Sequence, residues 1–382
     1  MAKKTNKHQF GEDALTLHKK LKGKTEIVAT QKVTKDTLPL LYTPGVGAVS
    51  TYLAEHPNDV HEFTGKTVAI VSDGSAVLGL GNVGPEAALP VMEGKALLLK
   101  EFGNVNAVPL VLHTQDVDEI VSTVQAVAPS FAGINIEDIA APRCFEIERR
   151  LVESLPIPVM HDDQHATAIV VLAGLINAHK AVKKSLSRSR IAIIGAGAAG
   201  NAIARILVAY GVGDVVVVDR HGILGPLRTD IDEEKQELAA ITNKEERTGS
   251  VLEAIAGADA VVGVSGPGSI KPEYIRMMAQ RPIVFALANP TPEILPDDAH
   301  AAGAVVVATG RSDYENQINN ALVFPGVFRG VFENNVHHIT GEMKVRAAQN
   351  LARLIARPTA KKILPTLFDR RVAKAIADAM HT

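Results

Sequence analysis

The sequence predicts an α/β protein of two domains. Three observations lead there. The chain has 382 residues, too long for one ordinary core. Short β-branched apolar runs alternate with amphipathic stretches, the pattern of parallel sheets covered on both faces. A glycine-rich turn, Gly195-Ala196-Gly197-Ala198-Ala199-Gly200, stands between a β-branched run and a helical one. The break is expected between Met160 and Lys184 and is drawn at 160/161. Residues 1–160 form an N-terminal α/β domain. Residues 161–382 form a doubly wound parallel sheet with C-terminal helices.

In chain order, residues 1–35 are polar and mixed, with a helix expected around Ala14–Leu21. Thr67–Val71 reads as a buried strand. Pro85 opens an amphipathic helix to Lys100, since proline is tolerated in a first turn. Ala107–Leu112 is a strand, and Val117–Val127 a helix with Asp116 as its N-cap. Ala132–Ile136 is a strand, Cys144–Leu155 a helix and Pro158–Met160 a short strand. Ala166–Lys183 is a helix closed by the basic, serine-rich stretch Lys183–Arg190. Five further strands are expected at Ile191–Ile194, Val215–Val218, Ala260–Val264, Ile283–Leu287 and Ala304–Val307. Gly341–Ala356 and Thr366–Met380 read as helices folding back over a domain.

Composition narrows the function classes. A chain that is 46% hydrophobic and 21% charged is an ordinary soluble globular protein. The net charge of -2 gives no reason to expect nucleic acid as a partner. The absence of Trp disfavours stacking platforms for single strands. No apolar run is long enough to span a bilayer, and no apolar segment follows the basic N-terminus. The lone Cys144 fits a reducing interior, so a cytoplasmic location is expected.

The glycine turn carries chemistry. Gly195, Gly197 and Gly200 match G-x-G-x-x-G, a weak signal alone but here set between strand and helix. Gly195 permits the turn, Gly197 lets backbone approach a pyrophosphate, and Gly200 allows close helix–strand packing. The Ala198 and Ala199 amides open the helix whose N-terminus favours the phosphates. Asp219 ends the next strand, where an acid accepts hydrogen bonds from the adenosine ribose. That favours NAD, whereas Arg220 and His221 would compensate a 2′-phosphate and leave NADP open. The loop Ser265-Gly266-Pro267-Gly268 lies beside the cofactor or is a simple tight turn.

Two acidic pairs follow apolar strands: Glu137-Asp138 after Phe131–Ile136, and Asp162-Asp163 after Pro156–Met160. Four carboxylates cannot all be buried without a cation. Either they gather a hard divalent ion, or they cap a helix and decorate the surface. An oxygen-rich set suits Mg²⁺ or Mn²⁺, with His161 and His165 beside the ligands or structural. Lys95 lies in an otherwise apolar helix, where lysine ordinarily snorkels to solvent; held near a metal it would have a depressed pKa and act as a base. Tyr42 sits in a turn, Tyr42-Thr43-Pro44-Gly45-Val46. Residue chemistry alone ranks neither above background.

Six motifs in register closely resemble the malic enzymes, in their short bacterial and archaeal form. They are Tyr42–Val46, Ser72-Asp73-Gly74-Ser75, Leu78-Gly79-Leu80-Gly81-Asn82, Met92-Glu93-Gly94-Lys95, Ile134–Ile139 and His161-Asp162-Asp163-Gln164-His165. The similarity runs from about Leu38 to Arg357. It implies a substrate domain followed by a Rossmann-type domain, and oxidative decarboxylation of L-malate to pyruvate and CO₂ with NAD or NADP and Mg²⁺ or Mn²⁺. It implies metal ligation by Glu137, Asp138 and Asp163, with Lys95 as general base and Tyr42 as general acid. Asp162 is implied to orient Lys95, and Asn289 and Asn320 to lie near substrate and nicotinamide. A homodimer or higher homo-oligomer is implied as well, with the N-terminal 35 residues as a candidate contact.

Three departures accompany the resemblance. Ala166 stands where many relatives have Gly. No arginine precedes Leu78-Gly79-Leu80-Gly81 to clamp a substrate carboxylate, leaving Ser72, Asn289 and Asn320 as candidates. The chain ends at Thr382, so the acetyl-phosphate-related domain of some relatives is not expected. Competing readings are a malolactic-type decarboxylase that keeps NAD bound and a non-catalytic dinucleotide-sensing module.

Overall fold

The computed structural model describes residues 7–77 and 79–381; Leu78 and residues 1–6 lie outside it. Ten strands build two sheets. The first holds β1 (Thr67–Ser72), β2 (Asn106–Val111), β3 (Gly133–Ile136) and β4 (Val159–His161) in the order β2-β1-β3-β4, all parallel. The second holds β5 (Arg190–Ile194), β6 (Asp214–Asp219), β7 (Gly222–Ile223), β8 (Ala260–Gly263), β9 (Ile283–Ala286) and β10 (Val306–Thr309). Its order is β10-β9-β8-β5-β6-β7, with strand order reversing beside β5 and only β7 antiparallel. Ligands in such sheets bind outside the carboxyl ends of the strands at that reversal.

The apolar interior forms three layers. Ile134, Ile136, Ile147 and Leu151 pack on one face of the first sheet. Ile194, Val216, Ala254 and Val284 pack on one face of the second. Between the sheets a single cluster joins Val68 and Ile70 of β1 to Ile191 and Val217 of the second sheet. The helix Asp162–Ala181 belongs to this middle layer, and fifteen of its residues are buried. A helix apolar all round is one surrounded by protein.

Expected and observed elements differ mostly at their ends. The Val117–Val127 helix begins where expected, with Asp116 accepting the Glu119 N–H at 3.0 Å. The helix expected over Thr366–Met380 is reduced to Arg371–Ala377, because Asp369 turns the chain just before it, accepting the Arg371 N–H at 3.1 Å. The last strand runs Val306–Thr309, displaced from Ala304–Val307, and the helix expected from Ala166 begins four residues earlier. That earlier start places Asp162 and Asp163 in its first turn, where the helix dipole favours negative charge.

Candidate active site

Strand pairing explains the gathering of acids. Ile136 of β3 is paired with His161 of parallel β4, so the residues just beyond each strand end emerge side by side. Those residues are Glu137-Asp138 and Asp162-Asp163. Asp138 takes the left-handed conformation, φ 53°, which Asn and Asp tolerate better than most residues with a side chain. Its N–H donates to Asp163 Oδ2 at 2.9 Å. One oxygen each of Glu137, Asp138 and Asp163 lies within 4.8 Å of the others, an arrangement able to hold one ion.

The donor set fits a hard divalent cation. All three groups are carboxylates, Glu137 and Asp138 are buried, and Asp138 Oδ2 has no hydrogen-bond partner. Burial and the neighbouring Asp163 push the Asp138 carboxyl up to about 7. Burial and the adjoining acids likewise raise Glu137 well above its ordinary value, although Lys95 opposes them. Such carboxylates are relieved by a bound cation.

Lys95 reaches this cluster from the Pro85–Gly103 helix and is buried. It does not snorkel. Its Nζ pairs with Glu137 Oε1 at 2.9 Å, donates to Asp162 Oδ2, and lies 4.5 Å from the Phe324 ring centre. Asn320 Nδ2 donates to the same Asp162 oxygen at 3.1 Å. The protein's own groups act on the pKa of the Lys95 ammonium in opposite directions. Burial lowers it, but Asp162, Glu137 and Asp163 outweigh burial and raise it.

Other expected site residues stand differently. Ser72 is fully buried and its Oγ accepts the Gly74 N–H at 3.1 Å, bracing the turn after β1. Tyr42 is 67% exposed. Asn289, half-buried, precedes a cis peptide to Pro290. Its carbonyl presses on Gly79, where φ is +68° and an added Cβ would come within 2.2 Å of Asn289 O. The loop after β9 and the glycine-rich loop after β1 are therefore in direct contact.

The glycine turn lies across the reversal point. A Cβ on Gly200 would approach Gly195 O to 1.9 Å, so only glycine permits the contact between turn and helix. A Cβ on Gly197 would meet nothing within 4 Å. That open side faces a cavity of about 460 Å³ lined by Gly195, Gly197, Asp219, Arg220, Ser265 and Ser269. Ala198 and Ala199 begin the helix, leaving first-turn N–H groups for an anion. The turn, the helix N-terminus and the acid at the end of β6 fit a dinucleotide. Asp219, however, is already engaged. It accepts the His221 N–H at 2.8 Å and lies 3.3 Å from Arg228 and 3.5 Å from Lys235. Burial would raise its carboxyl, but these partners hold it below the usual range.

One important group carries no motif. Glu148, on the Arg143–Ser154 helix, accepts the His161 N–H at 2.8 Å and Gln164 Nε2 at 2.9 Å. His165 Nε2 lies 2.8 Å from Glu148 Oε1, the oxygen that accepts from His161. Burial acts to raise Glu148, yet His165, Lys344 and His161 bring it down to about 2. It anchors the turn that carries Asp162 and Asp163. Helical spacing contains the signal: Glu148 is four residues after buried Cys144 and three before buried Leu151.

Comparison with known proteins follows the same lines. Residues 20–152 match the N-terminal domain of malic enzymes, and residues 165–381 match their NAD-binding domain. A bifunctional malic/malolactic enzyme of Bacillus subtilis is 50% identical over 376 residues, covering 97% of this chain and 92% of that relative. An NAD-dependent malic enzyme of Geobacillus stearothermophilus is 51% identical over 351 residues, covering 91% of this chain and 73% of the relative. The crystal structure of an NAD-dependent malic enzyme from Thermotoga maritima superposes with a TM-score of 0.92 at 47% identity. It covers 96% of this chain and 98% of that one.

Proposed function

The chain belongs to the malic enzyme family, and on that premise we propose that it converts L-malate to pyruvate and CO₂ while reducing NAD. Residues 1–160 serve as the substrate domain and residues 161–382 as the dinucleotide domain. The observation that carries the reading is the placement of Lys95 Nζ between Glu137 and Asp162, at the edge of a three-carboxylate cluster.

Glu137, Asp138 and Asp163 would hold a divalent ion that would supply Lewis-acid chemistry, and a nicotinamide bound at the glycine turn would supply the hydride acceptor. Lys95 takes the proton of the C2 hydroxyl on Nζ. Asp162 and Asn320 fix Lys95 for that transfer. Asp162, Glu137 and Asp163 favour the Lys95 ammonium against burial, and a cation held by Glu137 and Asp163 would weaken that pull. Asn289 and Asn320 offer amide donors to the substrate carboxylates. Tyr42 gives its phenolic proton to C3 after CO₂ leaves.

Tyr42 is exposed in a single chain, as are Leu38, Leu40 and Leu41 before it. The helices Leu38–Leu41 and Gly45–Glu55 bury no residue. An apolar surface of this kind supports a homo-oligomer. Light scattering giving a mass of 40.5 kDa for the active species would remove that part of the reading. A cytoplasmic location is supported by Cys144, buried and unpaired. Among the described residues no helix is long and apolar enough to cross a membrane.

The deciding experiment is initial rates on L-malate with NAD and NADP, each with Mn²⁺ and Mg²⁺, and with identification of the product. Pyruvate with free NADH is expected. The likeness to a bifunctional malic/malolactic enzyme supports a second reading, in which lactate forms and no free NADH appears. No turnover with any pair of cofactor and metal would defeat both.

A further inference from the structure

Glu293 is fully buried, four residues after Asn289. Its Oε1 accepts the Ser265 N–H at 2.9 Å, and its Oε2 accepts the Ala288 N–H at 3.0 Å. Ser265 opens the loop after β8 and lines the dinucleotide cavity. Ala288 lies in the loop after β9, immediately before Asn289. A single carboxylate thus spans the two loops at the carboxyl ends of neighbouring strands. Among the described residues no Lys, Arg or His forms an ion pair with it, and burial raises its carboxyl although the backbone N–H bonds oppose that.

A buried carboxylate without a counter-ion is costly to keep. An apolar side chain would fill the space without that cost. A glutamine would fill it too, but with one acceptor oxygen in place of two. Glutamate alone among side chains of this length accepts from both loops at once. The end of β8 is shaped around it. A Cβ on Gly263 would lie 2.6 Å from Glu293 Cδ, so the strand ends in glycine where the carboxyl group passes.

We infer that Glu293 is a positioning residue: it fixes the spacing of the Ser265 and Asn289 loops and thereby sets affinity for the dinucleotide. The inference rests on the reading that a dinucleotide occupies the adjoining cavity. The loop pair cannot adjust on its own, since the Asn289 carbonyl is already pressed against Gly79 and its amide against Gly310.

NADH binding to the full-length protein, followed by nicotinamide fluorescence, tests it directly. Wild-type protein must bind NADH; failure there defeats the cofactor reading itself. Glu293→Gln, which strips one loop of its acceptor, is expected to weaken NADH by about tenfold. KM for NAD rises in step, while kcat at saturating NAD changes less than KM. Gly263→Ala, which displaces the carboxyl group without removing it, gives the same loss and also serves if Glu293→Gln fails to fold. In the double variant the two losses do not add. A carboxylate that merely supports the fold would lower the melting temperature and leave NADH affinity within about twofold of wild type. That result, or additive losses in the double variant, overturns the inference.

Discussion

Asn320 donates to Asp162 at 3.1 Å on the oxygen that also receives Lys95. Two donors thus share one buried carboxylate oxygen, so Lys95 cannot rotate away without breaking the Asp162 contact. Lys95→Ala is expected to lower malate oxidation by about 10³. Asn320→Ala, which leaves the Lys95–Asp162 pair intact, should cost less. NADH affinity stays unchanged in Lys95→Ala, because Lys95 does not line the dinucleotide cavity. Steady-state rates and fluorescence titration check the pair; near-normal turnover in Lys95→Ala removes it from the mechanism.

Tyr42→Phe deletes the proton proposed for C3 and leaves the C2 chemistry untouched. Ketonisation of added enolpyruvate should fall by about 10², with hydride transfer affected less. Equal loss in both half-reactions would count against Tyr42 as the acid.

Burial and the neighbouring Asp163 push Asp138 up to about 7, and a bound cation would offset both. Mn²⁺ at a hundred times its Kd should therefore stabilise the folded chain by about 2.7 kcal/mol. The rise in melting temperature disappears in Glu137→Gln, and excess chelator abolishes malate turnover. Undiminished turnover in chelator would remove the metal from the reaction.

Glu148 gives the acid limb of stability a definite shape. Its folded value near 2 lies below the ordinary 4.5, so its contribution is complete above pH 4.5 and is lost as pH falls toward 2. The gap between the two values corresponds to about 3 kcal/mol. Urea titrations should show Glu148→Gln less stable by roughly that amount at pH 7. The difference should narrow below pH 4.5; a constant difference down to pH 3 would contradict the assignment.

Arg228 and Lys235 already neutralise Asp219, which changes what its removal should do. Asp219→Ala takes an acceptor from the ribose and frees two cations beside it. KM for NAD should rise by about tenfold while KM for NADP holds or falls. An unchanged ratio of the two would place the ribose elsewhere.

Legibility in the sequence followed periodicity. Strands such as Thr67–Val71 and Ile283–Leu287 were readable because runs of Val and Ile have few other uses. The two-residue β7 is too short to leave a pattern, and the order of strands depends on pairings that no local spacing records. The four acids were visible as strand-end pairs, but whether they met depended on β3 lying beside β4. Glu148 was hidden because an acid in a helix ordinarily reads as a solvated face. Glu293 was hidden because its partners are backbone amides, which every residue possesses. The pairing of Lys95 with Glu137 and Asp162 escaped because it joins side chains from three distant stretches of chain.

The helix Asp162–Ala181 has a consequence for how this protein can change over time. It begins at the acids and passes, almost wholly buried, through the layer between the sheets, where Gly174 leaves only enough room for Phe285 and Ile318. A rod of twenty residues is about 30 Å long and transmits a shove at one end to the other. Interior substitutions chosen to harden or soften the protein for a new temperature therefore also reset the placement of Asp162 and Asp163. Thermal adaptation and turnover share this one segment, so improving either alone requires compensating changes elsewhere along it.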